Sequence, residues 1–97
     1  MKTSQEIVIE LGERMRTLRL LRNLTQAGLA ERSGVSLATL RKFEKTGQIS
    51  LQSLVKLAIP LGAENGFDLL FADVEEQVVT IDELLERSKR RKRGRVR

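Results

Sequence analysis

The chain of 97 residues contains no cysteine and no histidine. These two absences exclude disulfide bonds, thiolate and imidazole metal ligands, cysteine nucleophiles and serine–histidine triads. Only carboxylates and lysines would remain for catalysis, and no glycine-rich phosphate loop accompanies them. We therefore predict a protein that is not an enzyme and that binds no cofactor and no metal. The lack of cysteine also suits a reducing, cytoplasmic location.

Aromatic residues and long apolar runs are scarce as well. Phe43, Phe67 and Phe71 are the only aromatic residues, which is too few for a platform on which single-stranded nucleic acid would stack. No apolar run reaches the roughly 20 residues of a membrane span. The first residues also lack the apolar stretch of a signal peptide. We therefore expect no membrane partner and no secretory leader.

Charged residues are arranged in blocks along the chain, a pattern that the net charge of +5 does not reveal. Residues 14–56 carry nine basic and two acidic side chains, residues 57–86 carry eight acidic and no basic ones, and residues 87–97 carry eight basic and no acidic ones. The two basic blocks indicate a polyanionic partner, with nucleic acid as the first candidate. The acidic block is expected to face away from it, toward a second subunit or another protein.

Apolar spacing and turn residues predict a series of helices. A first helix over residues 6–22 follows from an apolar stripe, formed by Ile7, Leu11, Met15, Leu18 and Leu21. Further helices are predicted over residues 26–32, 37–45 and 51–59. Their expected N-caps are Thr25, Ser36 and Ser50, and their expected stops are Gly34, Gly47, and Pro60 with Gly62.

The last third of the chain is less regular. Residues 65–72 predict a short fifth helix, although residues 67–74 would also suit a short strand. Residues 80–83 resemble a capping box that would start a last helix, and residues 88–97 are basic enough to form a flexible tail. We accordingly expect a domain over residues 6–72, an acidic segment with a helix over 73–87 for dimer or partner contact, and a tail over 88–97.

Residues 25–44 read TQAGLAERSGVSLATLRKFE and carry a recognisable spacing. Ala30 is small where two helices would cross, and Gly34 suits the tight turn between them. The crossing would be sealed by apolar side chains, namely Leu29, Val35, Leu40 and Phe43. This stretch resembles the helix-turn-helix of the Cro/phage-repressor (XRE-like) family, and the resemblance extends over about residues 9–72.

The resemblance implies an all-α, five-helix repressor-like bundle, followed by a C-terminal helix and a basic tail. Its third helix would enter the major groove of double-stranded DNA. The positions implied as DNA contacts are Gln26, Ser36, Leu37, Ala38, Thr39, Arg41, Lys42, Lys45, Gln48 and Ser50. The resemblance also implies a buried structural ion pair between Arg19 and Glu44, whereas Gly28 departs from the helix former usual at its position.

Roles follow from the chemistry of each contact. Gln26 would contact a phosphate and brace the third helix, and Arg41 would bind either a guanine edge or a phosphate. Thr39 could touch a base or a thymine methyl, while Leu37 and Ala38 could read only methyl groups or shape. The backbone would be contacted by the remaining polar residues, which are Lys42, Lys45, Gln48 and Ser50.

Two functions are compatible with this resemblance. The first is a sequence-specific repressor that binds a palindromic operator as a homodimer and is associated with the bacterial nucleoid when bound. The second is an antitoxin, similar to the HipB-like group, that neutralises a kinase-like toxin and represses its own operon. The basic tail could follow DNA, bind an acidic protein or serve only solubility.

Overall fold

The computed structural model describes residues 1–73, and these are helical with no strand among them. The elements are α1 (Ser4–Leu21), α2 (Gln26–Ser33), α3 (Leu37–Thr46), α4 (Leu51–Ala58) and a 3₁₀ helix (Glu64–Leu69). The predicted all-α fold with five helices is confirmed. The helical alternative for residues 65–72 is correct in kind, with the tighter 3₁₀ geometry.

The predicted N-caps of α2, α3 and α4 are confirmed. Thr25, Ser36 and Ser50 each accept, at the side-chain oxygen, a hydrogen bond from the backbone N–H three residues later, at 2.9, 3.1 and 3.1 Å. Each cap satisfies a donor that the first helical turn would otherwise leave without a partner. The helix starts at residues 26, 37 and 51 therefore coincide with the predicted ones.

Helix α1 begins two residues earlier than predicted, because Thr3 and Glu6 form a capping box. The Glu6 backbone N–H donates to Thr3 Oγ1 at 3.1 Å, and the Thr3 N–H donates to Glu6 Oε1 at 2.8 Å. These reciprocal bonds satisfy two donors at the helix start. The bond from the Thr3 backbone, followed by the contact with its side chain, lowers the pKa of the Glu6 carboxyl.

Glycines in the left-handed conformation end α2 and α3, as predicted. Gly34 and Gly47 both have φ = +79°, and their N–H groups donate to the carbonyl oxygens of Ala30 and Phe43. Glycine adopts this conformation without the steric cost of a Cβ atom. Gly34 thereby turns the chain between α2 and α3 within three residues.

The described residues divide at Asn65, and the first unit, Met1–Asn65, holds α1 to α4. Its buried core consists of Met15, Leu29, Val35, Leu40, Phe43, Leu57 and Leu61. The four residues predicted to seal the helix crossing are all among them, and Ala30 packs against this core. The predicted packing at the helix crossing is therefore confirmed.

The predicted stripe of α1 is wrong at both ends. Met15 is buried, and Leu11 and Leu18 pack against the core, but Ile7 is 53% exposed and Leu21 is 70% exposed. Helix α1 has 18 residues and α3 has 10, which corresponds to lengths of about 27 and 15 Å. The two ends of α1 therefore extend past the partner that buries its middle.

Helices α1 and α3 meet at the backbone of Gly12. This residue is buried, and a Cβ atom added to it would overlap the Phe43 carbonyl oxygen and lie 3.5 Å from the Glu44 Cα. Gly47 is similarly close to Val8, whose carbonyl oxygen would overlap a Cβ atom at that position. Contact with α1 therefore sets the position of α3 in the bundle.

The predictions for residues 74–97 lie outside the described part of the chain. They include the capping box at 80–83, the last helix and the basic tail over 88–97. Within residues 1–73, no helix has the length and apolar character needed to cross a membrane. The same residues hold no cluster of acidic side chains suited to a metal ion.

Candidate nucleic-acid interface

Helix α3 has a buried side and a basic side. Leu40, Phe43 and Glu44 face the interior. The opposite side presents exposed residues at helical spacing, namely Ala38, Arg41, Lys42 and Lys45. Since residues three and four apart are neighbours on a helix surface, these four form one face with three positive charges. We call it the basic face of α3.

The first turn of α3 offers few free hydrogen-bonding groups. The Ser36 hydroxyl accepts a hydrogen bond from the Thr39 N–H at 3.1 Å and donates one to Thr39 Oγ1 at 2.8 Å. The methyl group of Thr39 and the hydrogen of its hydroxyl group take no part in these two bonds. Leu37 is half-buried and Ala38 is exposed, so the surface of this turn is largely apolar.

Helix α3 is anchored to α1 by the predicted ion pair between Arg19 and Glu44, which is confirmed. Arg19 Nε donates to Glu44 Oε2 at 2.7 Å, and Arg19 Nη2 donates to Glu44 Oε1 at 3.0 Å. Arg19 Nη1 donates to the Leu24 carbonyl oxygen at 2.8 Å. This bidentate geometry holds two helices in one orientation.

Gln26 connects this ion pair to the basic face of α3. Its Nε2 donates to Glu44 Oε1 at 3.0 Å, and its Oε1 accepts a longer hydrogen bond, 3.4 Å, from Arg41 Nε. The chain of contacts therefore runs from Arg19 through Glu44 and Gln26 to Arg41. Gln26 thus contacts the helix that it was expected to brace, but its partners Glu44 and Arg41 were not predictable, because no local spacing relates residues 15 or more apart on different helices.

The segment after α3 brings two further predicted residues together. Lys45 and Gln48 line an open groove with Ser4, Gln5, Val8, Ile9 and Thr46. The Gln48 side chain is exposed, and its backbone N–H donates to Thr46 Oγ1 at 3.1 Å. Ser50 is also exposed, and its hydroxyl oxygen caps α4.

Three of the nine basic residues between 14 and 56 have hydrogen-bond partners within the described part of the chain, and one of them is Arg41, which bonds to Gln26. Arg19 is 6% exposed and paired with Glu44. Arg22 Nε donates to the Leu61 carbonyl oxygen at 3.3 Å. The charge count from the sequence therefore includes one arginine that contributes little to the field outside, because a buried ion pair cancels at a distance.

The comparison with known families agrees with this geometry. A family model described as helix-turn-helix matches residues 15–64, slightly more than half of the chain. The match includes all of α2, α3 and α4 and the second part of α1. None of the curated proteins matches the chain.

Proposed function

Because the chain belongs to the helix-turn-helix family of the Cro/phage-repressor (XRE-like) type, and is thus a DNA-binding transcription regulator, we propose that it is a repressor. In this proposal it binds a palindromic operator in double-stranded DNA as a homodimer, and α3 is its recognition helix.

The two-sided character of α3 carries the proposal. Its inner side is anchored by Leu40 and Phe43, both fully buried, and by the Glu44 ion pair. Its outer side carries Arg41, Lys42 and Lys45. A helix with side chains measures about 10–12 Å across, which fits a major groove about 12 Å wide. A rigid helix with a basic outer face suits insertion there.

The proposed contacts divide into base and backbone contacts. Arg41, Thr39 and the apolar Leu37 and Ala38 would face base edges. The DNA backbone would be contacted by exposed or half-buried polar residues of α2, of α3 and of the segments that flank α3, namely Gln26, Ser36, Lys42, Lys45, Gln48 and Ser50. The Ser36 hydroxyl already donates its hydrogen to Thr39 Oγ1. We therefore expect the first turn of α3 to contact thymine methyl groups more than the polar edges of bases.

Exposed apolar residues support the homodimer. In the described part of the second unit, Leu70 is 55% exposed and the Phe71 side chain is fully exposed. A second copy of the chain that covered them would bury apolar surface. Two-fold symmetry would then place two copies of α3 in successive major grooves about 34 Å apart, and the operator would be palindromic.

The antitoxin hypothesis stays a prediction from the sequence. It depends mainly on the acidic segment and the basic tail, most of which lie beyond residue 73. A reading frame for a kinase-like toxin beside the gene for this chain, together with capture of that toxin by the purified protein, would support it. A gene with no such neighbour would count against it.

Selection of bound duplexes from a random pool tests the repressor proposal. We expect the full chain to enrich one sequence with two inverted half-sites, whose centres are about 10 base pairs apart or a multiple of that. Reporter expression should fall when the selected site overlaps a promoter. Enrichment of an asymmetric site would contradict the homodimer, and binding without sequence enrichment would contradict specific recognition.

A further inference from the structure

We propose that Gln26 is a positioning residue for Arg41: it holds the Arg41 guanidinium so that its two terminal nitrogens read a guanine, and it does so without touching a base. This inference rests on the proposed function, in which α3 lies in the major groove. It decides between the two roles, guanine reader and phosphate clamp, that the sequence left open for Arg41.

The orientation of the Gln26 amide is dictated by its two neighbours. The Glu44 carboxylate can only accept hydrogen bonds, so it requires the amide nitrogen on its side. The Arg41 guanidinium can only donate, so it requires the amide oxygen on its side. The observed contacts, Nε2 to Glu44 and Oε1 to Arg41, satisfy both requirements. If the amide were flipped, its oxygen would face a Glu44 carboxylate oxygen and its nitrogen would face the Arg41 guanidinium, so neither hydrogen bond could form.

The inner end of this link is firmly held. Glu44 accepts hydrogen bonds from Arg19 at both carboxylate oxygens and is 9% exposed. Gln26 bonds to a carboxylate that cannot move without disturbing the ion pair. Its Oε1 atom is therefore a fixed acceptor at the edge of the basic face of α3, and it offers a fixed point for an otherwise flexible arginine.

Contact through Nε decides which part of Arg41 remains available. With Nε–H directed at Gln26, the terminal nitrogens Nη1 and Nη2 form the free donor edge. Two parallel donors on one planar group match the O6 and N7 acceptors of guanine. The 3.4 Å separation is long for a hydrogen bond, and we expect it to shorten when DNA closes over the arginine.

A base contact needs this arrangement more than a phosphate contact does. A phosphate requires little beyond positive charge at the right distance, and Lys42 and Lys45 supply that from the same face. Discrimination between bases requires a fixed plane of donors. The first turn of α3 is mostly apolar, so Arg41 is the residue of this face that best offers paired donors in a fixed plane.

The test compares Gln26→Met with Arg41→Ala, using Gln52→Met as the matched control. Methionine keeps the length of glutamine but removes its amide, and Gln52 is an exposed residue of α4 outside the proposed DNA contacts. Each full-length variant is used for selection from a random duplex pool, for binding titrations at several salt concentrations and for thermal melting.

We expect the unaltered chain to prefer guanine at one position of each half-site by about 5- to 150-fold over adenine. Arg41→Ala should abolish this preference. Gln26→Met should reduce it by about 2- to 10-fold, the effect of one hydrogen bond, and leave the other positions unchanged. Gln52→Met should leave the whole site unchanged. Melting should confirm that every variant is folded.

Two results would overturn the inference without affecting the repressor proposal. In the first, Arg41→Ala weakens binding equally for all sequences and lowers the salt slope by about one, as expected for a phosphate contact. In the second, Gln26→Met retains the full guanine preference of the unaltered chain. A protein that binds duplex DNA with no sequence preference would instead overturn both proposals.

Discussion

Arg19 and Glu44 are 25 residues apart in sequence and form a bidentate ion pair in the protein interior. Their side chains are only 7% and 4% exposed, so both charges have left water. For most buried ion pairs, the free energy lost when the charges leave water is about as large as the free energy gained from their mutual attraction. The pair therefore contributes mainly geometry, because it fixes α3 against α1 and provides the carboxylate on which Gln26 is anchored.

Removal of one partner of this pair should be strongly destabilising. We expect Glu44→Ala to lower the free energy of unfolding by about 3–5 kcal/mol, because it leaves the Arg19 guanidinium buried without its counter-charge. The double variant Arg19→Met with Glu44→Leu should lose less than Glu44→Ala, since it leaves no charge behind. Chemical denaturation followed by circular dichroism measures all three values.

The exposed pair of Lys2 and Glu10 is the control for this experiment. Its nitrogen–oxygen distance is 2.6 Å, but its side chains are 60% and 41% exposed. Glu10→Ala should cost no more than about 1 kcal/mol, because water and salt screen the interaction. An equal loss in Glu10→Ala and Glu44→Ala would contradict the structural role assigned to the buried pair.

Gly12→Ala should destabilise the protein by about 1–3 kcal/mol or more. The added Cβ atom would overlap the carbonyl oxygen of Phe43, and relief of this overlap requires a shift of α1 against α3. Gly66→Ala is the control, because a Cβ atom there meets nothing within 4 Å. Equal melting temperatures for the two variants would show that the helices do not touch closely at Gly12.

Arg41→Ala combined with Lys42→Ala should abolish operator binding and leave folding intact. Both side chains are exposed on α3, so their truncation removes DNA contacts without opening the core. Gel-shift titration and thermal melting measure the two effects. The double variant Arg32→Ala with Lys56→Ala, which alters two exposed basic residues outside the proposed contacts, controls for the loss of two positive charges. Retention of operator binding by the double variant would refute α3 as the recognition helix.

Deletion of residues 88–97 should flatten the dependence of binding on salt. The segment carries seven of the basic residues near the C-terminus and no acidic one, and each phosphate that it neutralises would release a counterion. We expect a smaller slope of log K against log salt concentration. If the slope is unchanged, the tail does not contact DNA, and the acidic-partner and solubility alternatives gain weight.

Phe71→Ser should weaken self-association. The Phe71 side chain is fully exposed in the described part of the chain, and a homodimer would bury it. Sedimentation of the full chain at micromolar concentration should show a 22 kDa dimer, twice the 11.0 kDa of one chain, and the variant should shift toward the monomer. A single 11.0 kDa species for the unaltered chain would refute the dimer.

Much of the candidate site was predictable because its signals are local. Thr25, Ser36 and Ser50 cap helices through bonds to backbone groups three residues away, and Gly34 turns the chain through its own φ angle. The basic face of α3 follows from the 3.6-residue period alone. Such features depend on covalent neighbours, so their pattern is visible in the sequence without knowledge of the fold.

Other expectations were wrong or absent because they depend on distant partners. Ile7 and Leu21 fit the periodic stripe of α1, yet the shorter α3 does not reach them. Gly12 must be small because Phe43, 31 positions later, brings its backbone alongside. Periodicity indicates which side of a helix is apolar, but it contains no information about where the neighbouring helix ends or how closely it approaches.

The sequence by itself determined the starts of α2, α3 and α4, the turn at Gly34 and the likeness to a DNA-binding helix-turn-helix, because each depends on short-range spacing. Only the tertiary structure decided that Gln26 joins Glu44 to Arg41. That contact requires three elements to meet with correctly oriented donors and acceptors. Hydrogen bonds form over about 3 Å in space, whatever the separation along the chain.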